Sequence, residues 1–204
     1  MARRQNNRRF RFKYAVLGEG ITEQYYLTYL KKFKGYRYSV RPILFQDIGI
    51  EKAEAIIDEL VSGECDQITY FTDYDTIANQ GKRAAFDKLV KKYEDNQEVL
   101  ICESMPSIEY WFLLHFRYTT MEFSDCKEVL VELKKHINDY SKSGQYLKTE
   151  RWFNKLLEND GLGKATTNAE KGLKVYENDL VSTHFPFTKI PRAIEEFDKQ
   201  INNR

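Results

Sequence analysis

Short apolar runs alternate with segments of helical periodicity along the first half of the chain. Three of these runs, Tyr14–Leu17, Ile68–Thr72 and Val99–Cys102, are long enough for strands but too short for helices. A fourth run, Tyr36–Val40, alternates like a half-buried strand, and Pro42–Phe45 can extend it. Because strands that alternate with helices form parallel sheets with crossover helices, we expect the first three runs to be parallel neighbours in one sheet.

Between these strands, apolar residues recur at helical spacing. A first helix is predicted from residue 22, with one buried stripe formed by Tyr26, Leu27, Leu30 and Phe33. A second helix is predicted after Gly49, and a third over residues 82–93. The first half of the chain is therefore predicted to be an α/β domain with helices flanking a mostly parallel sheet.

The carboxyl-terminal part of the chain shows helical patterns from Phe123 onward. A last helix is predicted after Pro186, and we expect it to pack back on the sheet. The length of 204 residues suits one domain with an elaboration. The predicted parts are a basic flexible arm (1–12), an α/β domain (13–120), a helical subdomain (121–185) and a terminal helix (186–204).

The first predicted strand ends in a carboxylate between two glycines. Gly18 and Gly20 allow a sharp turn around Glu19, and the helical pattern begins directly afterwards. Glu19 is therefore expected at the carboxyl end of a strand, where open α/β sheets bind ligands. Glu23 lies one helical turn later and points back toward the same place. Two carboxylates beside a tight turn repel each other unless a cation or a proton lies between them.

A second acidic pair, Asp73 and Asp75, follows the run Ile68–Thr72. Residues i and i+2 share a face of an extended chain, so both carboxylates can reach one cation. Oxygen ligands of this kind suit Mg²⁺ or Mn²⁺. A lone pair with this spacing is more often solvated or caps a helix, but parallel strands bring their carboxyl ends to one edge. Two acidic strand ends in one sheet therefore favour a metal site.

A further carboxylate begins the apolar segment after the run Val99–Cys102. Pro106 and Ser107 mark the start of a helix, and Glu109 lies in its first turn. Glu109 is either a partner of the helix dipole or a third carboxylate at the same sheet edge. Glu103, which ends the predicted strand, is the rival candidate for that place.

Charge is close to balanced, with a formal net charge of +1, but it is unevenly distributed. The amino terminus holds a run of basic residues: Arg3, Arg4, Arg8, Arg9, Arg11 and Lys13. Such an arm attracts phosphate backbones, and a solubilising tail is the alternative interpretation. The helical region is also rich in cations, most of which we expect on solvated helix faces. Lys148 and Arg151 are the candidates there for a basic surface that binds nucleic acid beside the acidic site.

Several classes of protein are disfavoured by the sequence. No apolar run approaches the roughly 20 residues of a transmembrane helix. Cys65, Cys102 and Cys126 are few and scattered, which fits a reducing cytoplasm and neither a disulfide framework nor a zinc site. No Gly-x4-Gly-Lys-Ser/Thr segment occurs, so any ATPase activity would belong to another chain.

Three motifs, taken in order, resemble the RloB-like family of bacterial proteins. They are Gly18-Glu19-Gly20-Ile21-Thr22-Glu23, Asp73-Tyr74-Asp75 and Ser104-Met105-Pro106-Ser107-Ile108-Glu109-Tyr110-Trp111. The resemblance continues near the carboxyl terminus, in Asn168-Ala169 and Phe185-Pro186-Phe187-Thr188. Two positions depart from the family pattern, since Met105 and Phe185 stand where the family usually has asparagine.

The resemblance also implies a fold and a chemistry. The RloB-like family is placed near the Toprim nucleases, including the nuclease domain of the OLD (overcoming lysogenization defect) proteins. It implies a Toprim-like sheet in which Glu19, Asp73 and Asp75 hold Mg²⁺ or Mn²⁺. It further implies that Glu19, Glu23 and Glu109 serve catalysis.

The leading hypothesis is a metal-dependent nuclease of bacterial phage defence that hydrolyses phosphodiesters of DNA or RNA. The alternative is a non-catalytic or partner-dependent subunit that binds nucleic acid in a defence complex containing an ATPase. A third option, a phosphate-ligand or RNA-binding module, would use the basic arm and need no paired carboxylates. For each of these we expect a cytoplasmic protein without a membrane partner.

Overall fold

A five-stranded sheet forms the centre of the protein in a computed structural model, which describes residues 12–63, 65–74, 77, 81–178 and 184–202. The strands are β1 (Tyr14–Gly18), β2 (Tyr38–Arg41), β3 (Gln67–Asp73), β4 (Val99–Met105) and β5 (Phe187–Thr188). Their spatial order is β2-β1-β3-β4-β5. The first four are mutually parallel and β5 is antiparallel to β4, so the predicted α/β class with a mostly parallel sheet is confirmed.

Helices connect and cover the strands. Those of the first half are α1 (Ile21–Lys34), α2 (Ile50–Ser62), α3 (Arg83–Tyr93) and α4 (Ile108–Leu114). Those of the second half are α5 (Cys126–Leu133), α6 (Gly144–Leu147), α7 (Arg151–Leu157), α8 (Gly161–Asn178) and α9 (Ile190–Asn202). The three runs predicted to be parallel neighbours are β1, β3 and β4, and they lie side by side as expected.

The sheet separates two hydrophobic cores. Alternate side chains of a strand point to opposite faces, and both faces of β1 are buried. Tyr14 and Val16 enter the core formed with helices α1, α4 and α9. Ala15 and Leu17 enter the core formed with α2 and α3. This burial on both faces explains why β1 reads as a continuous apolar run rather than as an alternation.

The last helix returns to the sheet, as the sequence predicted. Phe197 of α9 lies with its ring centroid 5.3 Å from that of Tyr14 on β1 and 4.7 Å from that of Tyr38 on β2. The aromatic contacts pack α9 on one face of the sheet, in the core that also contains Tyr14 and Val16.

Helix α1 is one of the elements that attach the helical region to the α/β part. The single hydroxyl proton of Tyr29 is shared between the carbonyl oxygens of Leu147 (3.0 Å) and Lys148 (2.8 Å). The rings of Trp152 and Phe153 on α7 pack against Tyr29, with centroid distances of 6.1 and 5.7 Å. These contacts hold the segment around α6 beside the amino end of α1, where the first acidic motif lies.

Two local predictions were wrong. Pro42–Phe45 does not extend β2, which ends at Arg41, and Ile43 and Leu44 are 74% and 80% exposed. At the edge of the sheet, the proline cannot donate a ladder hydrogen bond to continue the strand. Phe33, the last residue of the predicted apolar stripe of α1, is 55% exposed, with its ring centroid 6.4 Å from that of Phe153.

Candidate functional site

The turn after β1 carries Glu19 across to the end of β3. The backbone N–H of Glu19 donates to the carbonyl oxygen of Phe71 (3.1 Å) and extends the pairing of the two strands. Its carboxylate accepts hydrogen bonds from the hydroxyl of Thr72 and from the backbone N–H of Asp73 (3.3 Å). Glu19 is only 8% exposed. The carboxyl ends of β1 and β3 therefore bring Glu19 and Asp73 together, as parallel pairing requires.

Glycines make the turn possible because helix α1 packs against it without space for a side chain. A Cβ atom on Gly18 would lie 2.8 Å from Glu23 Cβ and 2.9 Å from the backbone nitrogen of Gln24. A Cβ atom on Gly20 would lie 2.7 Å from Glu23 Oε2. The backbone N–H of Gly20 instead donates to Glu23 Oε2 at 2.9 Å. The glycines thus bring the Glu23 carboxylate close to the turn that carries Glu19.

Asp73 ends β3 and at the same time binds the first turn of helix α4. Its Oδ1 accepts a hydrogen bond of 2.8 Å from the backbone N–H of Ile108. The first N–H groups of a helix have no partner within the helix, and a carboxylate is favourable near them. Asp73 is therefore fixed between two elements of secondary structure at the edge of the sheet.

Glu19, Glu23 and Asp73 line one cavity of about 520 Å³ beyond the carboxyl ends of the strands. The other charged side chains around the cavity are Asp47, Lys82 and Lys142. Glu19, Glu23 and Asp73 are almost fully buried, with exposed fractions of 8%, 3% and 9% respectively. The cavity is therefore acidic at its base and has cations on its wall.

Glu109 is close to this cavity but does not line it among the described residues. Its carboxylate is fully buried and accepts hydrogen bonds from Ser107 Oγ (2.7 Å), Cys126 Sγ (3.2 Å) and the Tyr140 hydroxyl (3.3 Å). Lys142 Nζ lies 3.0 Å from Glu109 Oε1 in an ion pair. Glu109 is thus more than a partner of the helix dipole, since it joins α4 to the helical region through a charged contact.

Glu103 takes no part in this arrangement. Strand β4 continues to Met105, so Glu103 lies inside the strand rather than at its end. Its carboxylate pairs with Lys189 Nζ at 3.0 Å. Of the two rival glutamates, Glu109 is the one linked to the cavity, because its partner Lys142 lines that cavity.

Burial and neighbouring charges shift the pKa values of the glutamates in opposite directions. Burial raises the pKa of Glu23 to about 7, and the negative charges of Glu109 and Glu19 add to the increase while Lys142 opposes it. Burial also disfavours the charge of Glu109, but Lys142 and the hydrogen bond from Ser107 together lower the pKa of Glu109 below its usual value. Glu109 is therefore ionised and paired, whereas Glu23 can bind a proton near neutral pH.

Comparison with known families decides the relationship that the motifs suggested. A family model described as RloB-like protein matches residues 14–197. The chain belongs to the RloB-like family. The match extends from β1 to α9 and so includes every side chain of the cavity. No curated protein and no solved structure matches the chain.

The donor chemistry of this RloB-like site suits a hard divalent cation. Glu19, Glu23 and Asp73 offer carboxylate oxygens, which are the ligands that Mg²⁺ and Mn²⁺ prefer. Within the described parts of the chain, no three carboxylate, imidazole or thiol groups come close enough together to hold one ion. Asp75, the fourth predicted site carboxylate, lies outside the described residues.

The cations predicted to bind nucleic acid are placed away from the cavity wherever the structure describes them. Lys13 precedes β1 at the opposite end of the strand from Glu19, with its Nζ 3.4 Å from the carbonyl oxygen of Gly63. Lys148 caps α6, and Arg151 pairs with Asp139 at 3.4 Å; neither lines the cavity. The remaining candidates lie outside the described residues: Arg3, Arg4, Arg8, Arg9 and Arg11.

Three cavity residues were not selected from the sequence. Asp47 Oδ1 accepts a hydrogen bond of 3.2 Å from the backbone N–H of Ile21. Lys82 and Lys142 belong to segments that precede α3 and α6, far apart in the chain. Asp47 could have been noticed as a polar residue before the predicted second helix. Lys142 was one lysine among many, and only folding brings it to the cavity.

Among the described residues, no helix is both long and apolar enough to cross a bilayer.

Proposed function

We propose that this RloB-like protein is a Mg²⁺- or Mn²⁺-dependent nuclease of Toprim type that hydrolyses phosphodiesters of DNA or RNA. The observation that carries the proposal is the convergence of Glu19, Glu23 and Asp73 on one cavity at the ends of two adjacent parallel strands. Ligands of open α/β sheets bind at this edge. Buried carboxylates that face one another repel each other unless a cation or a proton lies between them. In a metal-dependent enzyme the bound divalent ion is that cation.

The side chains of the cavity have different chemical roles. Glu19 is held by Thr72 and by the backbone of Asp73, and Asp73 is held by helix α4, so both are rigid ligands. Glu23, whose pKa burial raises to about 7, is suited to accept or donate a proton near neutral pH. When bound, the divalent ion neutralises charge on the phosphate and lowers the pKa of a water molecule.

The proposed biological setting rests on the family resemblance. Resemblance to the RloB-like family implies a role in bacterial phage defence and an ATPase as a partner. Toprim-type chemistry is supported by the match of Glu19 and Glu23 to its glutamate motif and of Asp73 to its metal-binding aspartates. In this setting the ATPase would control when the cavity receives nucleic acid.

A second function, binding of nucleic acid without cleavage, is favoured by one observation. Lys82 and Lys142 add two cations to the cavity wall, and cations attract a phosphate whether or not a reaction follows. In that case the protein would be the nucleic-acid-binding subunit of a complex whose ATPase resides in another chain.

The two functions are separated by measuring Mg²⁺- and Mn²⁺-dependent cleavage of labelled DNA and RNA, alone and with a candidate ATPase partner. Asp73→Asn keeps an oxygen for the hydrogen bond from Ile108 but removes one negative charge. We expect this variant to lose cleavage by at least about a hundredfold while it remains folded. Asp95→Asn, on an exposed turn, is the matched control and should retain activity. Cleavage that survives Asp73→Asn would contradict the nuclease mechanism.

A further inference from the structure

Lys142 is the side chain that links the buried Glu109 to the acidic cavity. It lies on the loop between α5 and α6, and its ammonium is 3.0 Å from Glu109 Oε1. Glu109 is fully buried, whereas 42% of the Lys142 side chain is exposed. The ion pair therefore holds a cation at the wall of the cavity that also contains Glu19, Glu23 and Asp73.

The ammonium of Lys142 has hydrogen-bonding capacity left for a ligand. A lysine ammonium has three N–H donors. One reaches Glu109 at 3.0 Å, and a second makes a long contact of 3.5 Å with Cys126 Sγ. Within the part of the chain that the structure describes, these two contacts leave at least one N–H for a group inside the cavity.

Glu109, in contrast, has no capacity left. A carboxylate offers about four lone-pair sites. Ser107 and Cys126 donate to its Oε2, and Tyr140 and Lys142 donate to its Oε1. A carboxylate that is saturated in this way can neither bind a metal ion nor accept a proton from substrate. Of the four side chains that donate to Glu109, Lys142 is the one that lines the cavity, so Lys142 is the direct contact between Glu109 and a ligand there.

A phosphate that enters this cavity needs a cation. Carboxylates at the base repel the negative oxygens of a phosphodiester, and an ammonium on the wall offsets that repulsion. Of the two lysines that line the cavity, Lys142 is the one whose position is fixed by a buried partner. A fixed donor loses little conformational entropy when it binds.

We propose that Lys142 binds a phosphate group of nucleic acid in the cavity and that Glu109 is the positioning residue for Lys142. The inference deepens the proposed nuclease function and rests on it. It also revises the sequence-based assignment of Glu109, which becomes a residue that acts through another rather than one that touches the reacting atoms. The competing explanation is an ion pair that only ties α4 to the helical region.

The test measures binding of a fluorescein-labelled oligonucleotide, as DNA and as RNA, by anisotropy in EDTA and again in Ca²⁺. The variants are Lys142→Met, Glu109→Gln and the double variant, and Lys91→Met on the exposed surface of α3 is the matched control. We expect Lys142→Met to weaken binding about tenfold, because one charge-assisted contact is lost. The slope of log affinity against log salt should fall by roughly 0.7–0.9, the value of one phosphate contact. Lys91→Met should bind like the wild type.

The double variant tests the positioning role. If Glu109 acts only through Lys142, Glu109→Gln weakens binding in the wild type but adds nothing in the Lys142→Met background. Losses that multiply in the double variant would overturn the positioning role, and wild-type binding by Lys142→Met would overturn the whole inference. Should Lys142→Met fail to fold, the double variant has no unpaired buried carboxylate, and it should show the loss of binding relative to wild type that is expected for Lys142→Met; wild-type binding by the double variant would overturn the inference.

Failure of this inference and failure of the nuclease proposal give different results. Wild-type protein that binds the oligonucleotide through Lys142 but cleaves nothing in Mg²⁺ or Mn²⁺ supports the inference and contradicts the nuclease. Cleavage and binding that are both unchanged in Lys142→Met support the nuclease and contradict the inference.

Discussion

Asp73 Oδ1 accepts a hydrogen bond of 2.8 Å from the backbone N–H of Ile108, so the last residue of β3 supports the first turn of α4. The same aspartate donates its own backbone N–H to Glu19 Oε2 at 3.3 Å. One residue thus connects the turn after β1, the end of β3 and the start of α4. The geometry of the site therefore depends on the fold through a small number of identifiable contacts.

Asp73→Ala should destabilise the protein more than Asp73→Asn does. Alanine leaves the N–H of Ile108 without an acceptor in a buried place, whereas asparagine keeps an oxygen there. We expect a difference of about 1 kcal/mol in the free energy of unfolding, as for the loss of a helix cap. Urea unfolding of both variants in EDTA measures it. Equal stability would show that the contact contributes nothing.

The two glycines of the first turn should respond differently to alanine. At Gly18 a Cβ atom meets the backbone of Gln24 and the Cβ of Glu23, which cannot move without shifting helix α1. At Gly20 its one overly close contact, at 2.7 Å, is with the end of the Glu23 side chain, and Asp47 Oδ1 lies at an ordinary 3.5 Å. We expect Gly18→Ala to lower the melting temperature markedly, and Gly20→Ala to stay folded but lose activity as Glu23 is displaced. Thermal unfolding and cleavage assays on both variants test the contrast.

The buried Glu23 should make stability fall with rising pH. Its pKa in the folded protein, about 7, lies above its usual value of 4.5, so the folded state binds the proton more tightly. The contribution of this proton to the free energy of unfolding is fully present below pH 4.5. It is lost as the pH rises through about 7, and the total loss is about 3 kcal/mol. Glu23→Gln remains neutral and should gain stability relative to wild type across that window. Unfolding in EDTA at several pH values measures the difference, and parallel pH profiles would contradict it.

Breaking the ion pair from one side should cost more than removing both partners. Lys142→Met leaves the fully buried carboxylate of Glu109 without its counter-charge. We expect a loss of about 2 kcal/mol, less than for a fully buried pair because the lysine is partly exposed. The double variant Glu109→Gln/Lys142→Met should recover most of that stability. A double variant less stable than Lys142→Met would show that the unpaired carboxylate of Glu109 is not what destabilises Lys142→Met.

His115 should destabilise the protein at low pH. It is 3% exposed, its Nδ1 lies 3.0 Å from the carbonyl oxygen of Trp111, and its Nε2 has no partner among the described residues. Burial lowers the pKa of His115 to about 4, from 6.5. The free energy of unfolding is therefore highest above pH 6.5, where His115 is neutral in both states. It falls by about 3 kcal/mol as the pH falls toward 4.

His115→Phe is the control for this effect because phenylalanine fills a similar space beside Trp111 and does not titrate. The stability difference between wild type and variant should shift in favour of the variant between pH 6.5 and 4. Chemical unfolding at the two ends of that range measures the shift. A difference independent of pH would show that His115 does not remain neutral when folded.

The sequence by itself determined the four parallel strands of the sheet and most of its acidic edge, whereas the short antiparallel strand β5 was not predicted. The apolar runs at β1 and β3 are short and buried on both faces, and that of β4 is short and partly buried, so their pattern differs from that of the helices around them. Parallel pairing then required Glu19 and Asp73 to lie at one edge, because crossover helices return the chain to the same side. Local pattern and a rule of topology were sufficient for this part of the site.

Only the tertiary structure decided which distant residues complete the site. In the sequence Glu103 is a rival to Glu109 for the place at the sheet edge, but β4 continues past Glu103, and Lys189 binds it. Lys142 reaches the cavity because α7 packs on α1 and carries the preceding loop to the amino end of that helix. No periodicity distinguishes it from the other lysines of the helical region. Side-chain packing between segments more than a hundred residues apart sets its position, and such packing has no local signature.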